Sequence, residues 1–241
     1  MCKTSFFAAA VIICTITAVL NSQENMSKVP TPAELLTREH VPLTRSALLS
    51  ALGSDSANIR DLAAAELAVQ HAKDAVPDIY GALIVEHVPA VRVNMAYSLA
   101  QLEDPRGSNS LRDDCRTREL RMDLRLTAAS YLAQLHDPSC IDTIFEAQQS
   151  NVSSDVQVQA LSLIPEFAKL DESKAPQLNA LLQRSLSAAD ASVRLEASEL
   201  ISNLGDRSAI PALEAAIAGE SDDQVWAVMQ DSLRTLREPN P

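Results

Sequence analysis

Along most of the chain the apolar positions fall in a helical stripe that starts afresh every 32 to 37 residues. The restarts are IRDLAAAEL at Ile59, VRVNMAYSL at Val91, LRLTAASYL at Leu124, VQVQALSLI at Val156, VRLEASELI at Val193 and VWAVMQDSL at Val225. Four positions on stand Ala63, Met95, Ala128, Ala160, Ala197 and Met229. Eight positions on stand Leu67, Leu99, Leu132, Ile164, Ile201 and Leu233. Residues spaced by four share one face of an α-helix, so each phrase predicts an amphipathic first helix with a small or flexible residue where neighbours cross.

A shorter apolar phrase follows four of these helices: VPDIYGALI, CIDTIFEAQ, APQLNALLQ and IPALEAAIA. Pro77, Pro176 and Pro211 fall near their starts, where a missing N–H leaves no helix bond unmade. Asp74, Asp137 and Asp206 stand just before them as candidate caps. Upstream, TPAELLTREHVPLTRSALLSALGS reads as a degenerate first pair, with a capping box from Thr31 to Glu34 and a stop at Gly53. After the Val225 phrase only REPNP remains, so that helix is expected to close the core, with Trp226 as its cap.

These phrases resemble the HEAT-repeat family, and in particular the short bacterial repeats similar to those of phycobilisome lyases, over residues 31–237. The resemblance implies an all-α fold: a right-handed α-solenoid of stacked antiparallel helix pairs, about six repeats plus capping helices. It implies also that Arg60, Arg92, Arg125 and Arg194, which follow four of the anchors, are structural. In such repeats these arginines bond an acidic residue in the turn of the adjacent repeat, and Asp74, Asp104, Asp137 and Asp206 occupy comparable turns. The competing reading is an anion-binding ladder.

Enzymes share this architecture. HEAT-like deoxyhypusine hydroxylases bind two irons through repeated His-Glu pairs. Here Glu39-His40 and Glu86-His87 run in reverse order, and His71 and His136 lack an adjacent acid, so no metal site is expected. The bilin lyases attach a bilin to a partner's cysteine, and nothing in the sequence marks their pocket. No catalytic residue and no cofactor is assigned. The chain reads as a non-catalytic protein-interaction scaffold, a monomer with protein partners; the alternative is an enzyme or enzyme subunit similar to the bilin lyases.

Composition agrees with the helical reading. Of 241 residues 46% are hydrophobic, but only 3% are aromatic and there are 5 glycines, too few for the turns of a β-rich fold. The net charge of −12 repels phosphate backbones, so nucleic acid is not an expected partner.

The beginning of the chain is a different text. After Lys3, Ser5 to Leu20 carries no charge, and polar residues begin at Asn21. Residues 1–22 read as a signal peptide or membrane anchor, 23–30 as a linker, 31–237 as the solenoid and 238–241 as a tail. The expectation is an exported protein, periplasmic or secreted, or one held to a membrane by residues 5–20. Export would place Cys115 and Cys140 where a disulfide persists. They belong to corresponding second helices of adjacent repeats, neighbours in a solenoid, and form a candidate bridge. Two buried thiols are the alternative.

One segment departs from the pattern. From Arg106 to Arg125 six arginines stand against Asp113, Asp114, Glu119 and Asp123, and the apolar stripe shrinks to Leu111, Cys115 and Leu120. A solvated helix with internal ion pairs accounts for this. The functional reading is a contact for a partner or anion through Arg106, Arg112, Arg116, Arg118 and Arg121.

Overall fold

The computed structural model describes residues 29–149 and 151–238. Helix α1 (Pro32–Arg38) and α2 (Arg45–Ala51) open the stack. Three pairs follow: α3 (Ala57–Val69) with α4 (Val76–Val85), α5 (Pro89–Gln101) with α6 (Pro105–Arg116), and α7 (Met122–Gln134) with α8 (Asp142–Glu146). Next come α9 (Ser154–Ser162), α10 (Ile164–Leu170) and α11 (Ala175–Ser185), then α12 (Ala191–Leu204) with α13 (Ile210–Gly219), and finally α14 (Asp223–Arg237). The first helices α3, α5, α7, α9, α12 and α14 pack on one another in chain order, and the second helices α4, α6, α11 and α13 each pack on the first helix that follows them. The molecule is an all-α solenoid of stacked helix pairs.

The predicted stripe is the core. Ala63, Met95, Ala128, Ala160, Ala197 and Met229 are completely buried, as are Leu67, Leu99, Leu132, Ile164 and Ile201. Small side chains at the crossing positions let successive first helices approach, and Leu or Ile one turn later fills the space between layers.

Five first helices end in the same way. A residue at or just after each helix cap adopts the left-handed conformation: His40, His71, Glu103, His136 and Gly205, with φ between 52° and 66°. At His71 the backbone N–H bonds the Ala68 carbonyl and the Ala72 N–H bonds that of Leu67. The same two bonds recur at His40, Glu103, His136 and Gly205, closing the free carbonyls of each helix end. Three of the four histidines weighed as metal ligands are therefore helix terminators.

The fourth of the six repeats lacks this ending. Its first helix runs on and breaks at Leu163, because Pro165 in the first turn of α10 cannot donate to the helix before it. The extension accounts for the one long spacing in the repeat pattern. Caps follow expectation in part: the Thr31–Glu34 box is complete, and Asp206 accepts from the Ser208 N–H. Asp74 caps nothing and instead pairs with Arg45.

Helix α6 is regular despite its polar sequence. Its inward stripe is Gly107, Leu111, Asp114 and Cys115. Gly107 substitutes approach for side-chain volume: a Cβ there would lie 2.4 Å from the Ala100 nitrogen and the Ala96 carbonyl oxygen of α5.

Two expectations are corrected. Trp226 does not cap the core; it is 46% exposed, and α14 closes the stack with Val225, Met229, Leu233 and Leu236. Export is corrected as well. The candidate signal segment, residues 1–22, and the candidate anchor within it lie outside the described residues. Among the described residues no helix is long and apolar enough to cross a membrane.

Candidate interaction surface

The anchor arginines form a ladder, with partners other than those expected. Arg60 holds Glu86 through Nε and Nη2 at 2.7 and 2.8 Å, and Arg194 holds Glu220 the same way at 2.6 and 2.8 Å. Arg125 reaches Glu146 at 2.7 Å, and Arg92 reaches Asp114 at 2.6 Å. Each partner closes the second helix of the arginine's own repeat, not a turn of the next one. The geometry explains the preference: the rung ties the start of a first helix to the end of the second helix that follows it. Arg60 and Arg194 also bond carbonyls of the loop behind them, at Ser54, Asp55, Ala188 and Ala189.

Two-point rungs and the one-point rung at Asp114 differ electrostatically. The Arg60 hydrogen bonds, aided by the Val88 N–H, hold the Glu86 carboxyl down to about 2, and Arg194 does the same for Glu220. Asp114 moves the other way. Burial pushes its carboxyl up, and the single bond from Arg92 does not offset it. Aspartate is one methylene shorter than glutamate, and both Arg92 Nε and Asp114 Oδ2 are left buried without a partner. In the fourth repeat the arginine is replaced by Gln157, whose amide bonds the loop carbonyls of Gln149 and Val152.

Three of the five arginines of the basic segment are engaged in ion pairs. Arg106 lies over the Tyr80 ring at 3.9 Å and pairs with Asp104. Arg112 bonds Asp137 in the next repeat, and Arg121 pairs with Asp123. Arg116 and Arg118 stand exposed at the end of α6, with no ion-pair partner among the described residues. Cys115 and Cys140 are joined, their Cα atoms 6.2 Å apart. The Cys115 carbonyl beside them accepts from Arg125 Nε and Thr143 Oγ1.

Residues that the sequence did not single out complete this surface. Ile84 and Val85 are 65% and 64% exposed, and Val88 nearby is 39% exposed. Between Tyr80 and Arg92 the only charged side chain is Glu86, and it is turned inward onto Arg60. A cleft of about 470 Å³ adjoins them between α4 and α6, with Tyr80, Ile84, Arg92 and Arg106 on its walls. The sequence signal was available: the rung position of the second repeat holds aspartate where its neighbours hold glutamate.

A second polar network links the first helices. Asn94 donates to Asp61 at 2.7 Å and accepts from Tyr131 at 2.8 Å, and Tyr131 stacks on Tyr97 with ring centroids 4.0 Å apart. It joins α3, α5 and α7 side to side. Among the described residues no group of three or more His, Cys, Asp or Glu side chains could hold a metal ion.

Fold and surface together define an α-solenoid of stacked helix pairs. No protein-family model matches the chain, and no curated protein matches it. Among solved structures it is similar to the complex of CpcE and CpcF of phycocyanin lyase from Nostoc sp. PCC7120. The identity is 17%, over 97% of this chain and 100% of that one, with a TM-score of 0.33. A likeness of that grade carries no argument about activity.

Proposed function

We propose that this protein is a non-catalytic interaction scaffold whose helix pairs present a binding surface to a protein partner. The observation that carries it is the exposed aliphatic group Ile84, Val85 and Val88 beside the cleft between α4 and α6. Apolar side chains clustered on an otherwise strongly charged surface mark an interaction site more often than scattered ones do. Arg116 and Arg118 at the end of α6 would supply polar contacts at the rim of that surface. Arg106, Arg112 and Arg121 contribute less, since their guanidinium groups are held by Asp104, Asp137 and Asp123.

The test is affinity capture with the whole chain and with an Ile84→Ser, Val88→Ser variant, followed by binding of the purified captured protein. Wild type should bind it at least about tenfold more tightly, the effect of losing two apolar contacts. Equal binding by both would overturn this surface. Tight uptake of a linear tetrapyrrole by the purified chain would favour instead an enzyme or enzyme subunit similar to the bilin lyases.

A further inference from the structure

Successive layers of the stack are pinned to one another by side-chain bonds between residues far apart in the chain. Gln70 donates to the Leu43 carbonyl at 3.4 Å, Asn94 to Asp61 at 2.7 Å and Arg112 to Asp137 at 2.7 Å. Further on, Gln183 donates to Asp206 at 3.2 Å and Ser198 to Ser232 at 3.0 Å. The two residues of each bond are 23 to 34 positions apart, so each bond crosses from one repeat into the next. The Cys115–Cys140 link adds a covalent tie between the second and third repeats.

One junction is not pinned in this way. Between the third repeat, α7 and α8, and the fourth, α9 to α11, no side-chain bond among the described residues joins positions more than nine apart. Gln148 donates to the Gln157 carbonyl, and Gln157 to the carbonyls of Gln149 and Val152. All three bonds belong to the connection from α8 into the start of α9. What α9 and α10 bury is apolar: Ala160, Leu161, Ile164 and Phe167. Apolar burial has no direction, so it resists separation of two layers more than a small turn of one over the other. A hydrogen bond, in contrast, weakens steeply as its angle changes. The break at Leu163 falls at the same junction, where α7 packs on two short helices, α9 and α10, in place of one straight one.

We propose that this junction is a hinge on which two arms, residues 29–149 and 151–238, turn as units. Its pivot is the connection between α8 and α9, where the Gln148 and Gln157 bonds stay intact while the layers tilt. Hinges are built from a few residues at the ends of elements, and this one follows that pattern. Ile84 and Val85 lie on the first arm and the exposed Trp226 on the second. The turn sets their separation, and a partner that touches both arms selects one angle. The hinge goes beyond the scaffold reading and does not depend on the surface at Ile84.

Spin-label distances test it in the whole chain, with Cys2→Ser and Cys14→Ser so that only introduced cysteines take the label. Two pairs cross the junction: Asp78→Cys with Ala218→Cys, and Ser46→Cys with Lys169→Cys. Two pairs stay within an arm: Ser46→Cys with Gln101→Cys, and Lys169→Cys with Thr235→Cys. All six positions are exposed. Distance distributions across the junction should be at least about twice as wide as those within an arm, as expected for rigid bodies about a hinge. The two crossing pairs are independent, so if one variant misfolds the other decides. Four narrow distributions overturn the hinge. Four equally broad ones overturn it too, because the stack then flexes evenly along its length. Partner binding by the Ile84→Ser, Val88→Ser variant bears on the scaffold reading alone, so the two can fail separately.

Discussion

Gly107 of α6 lies so close to Ala100 of α5 that a Cβ on the glycine would sit 2.4 Å from the Ala100 nitrogen. Helix propensity alone favours alanine over glycine by about 1 kcal/mol. The obstacle here is backbone, which cannot rotate away, and overpacking of that kind costs about 1–3 kcal/mol or more. Gly107→Ala should therefore lower stability, measured by urea unfolding. Gly81, with nothing within 4 Å of an added Cβ, should gain from the same change.

The left-handed helix ends predict gains. A side chain in that conformation costs about 1–2 kcal/mol. Glycine removes the strain but adds about 0.5–1 kcal/mol of unfolded-state entropy. His71→Gly and His136→Gly should each stabilise the chain by roughly half to one kcal/mol. Gly205→Ala, at φ 66°, should destabilise it. Melting temperatures of the three variants decide the matter.

Acid should unfold the protein partly through the ladder. Glu86 and Glu220 have folded pKa values of about 2, below the ordinary 4.5. A depressed carboxyl adds stability that is fully present above the unfolded value and is lost as pH falls toward the folded one. Their share should therefore disappear between about pH 4.5 and about pH 2. Asp61 and Asp114, raised by burial, act with the opposite sign, since protonation relieves their burial. The variant Glu86→Gln should be less stable at neutral pH and show a flatter loss over that window in a series of unfolding curves.

The Cys115–Cys140 link closes a loop of 25 residues across two repeats. On the chain-entropy model such a closure is worth about 3–4 kcal/mol. Reduction should lower the denaturation midpoint accordingly, and a Cys115→Ala, Cys140→Ala variant should match the reduced protein. Peptide mapping after alkylation without reductant should find both cysteines unlabelled. Labelling of both would show free thiols.

The periodic spacing of Ala, Met, Leu and Ile determined the helices, their order and the core, because a helix with one apolar stripe can bury it only against a like neighbour. Asp206, the Thr31–Glu34 box and the helix-starting prolines act within one turn of their own positions, so they too were legible. The partners of Arg60, Arg92 and Arg194 were not. They lie 26, 22 and 26 residues away, and whether a guanidinium turns to the next repeat or to its own second helix depends on packing. The break at Leu163 and the close approach at Gly107 likewise depend on how helices meet. The cleft between α4 and α6, which gathers Tyr80, Ile84, Arg92 and Arg106 from separate helices, is likewise a product of packing. Local chemistry is written in neighbouring residues, whereas a distance between two helices is set only when every helix has been placed.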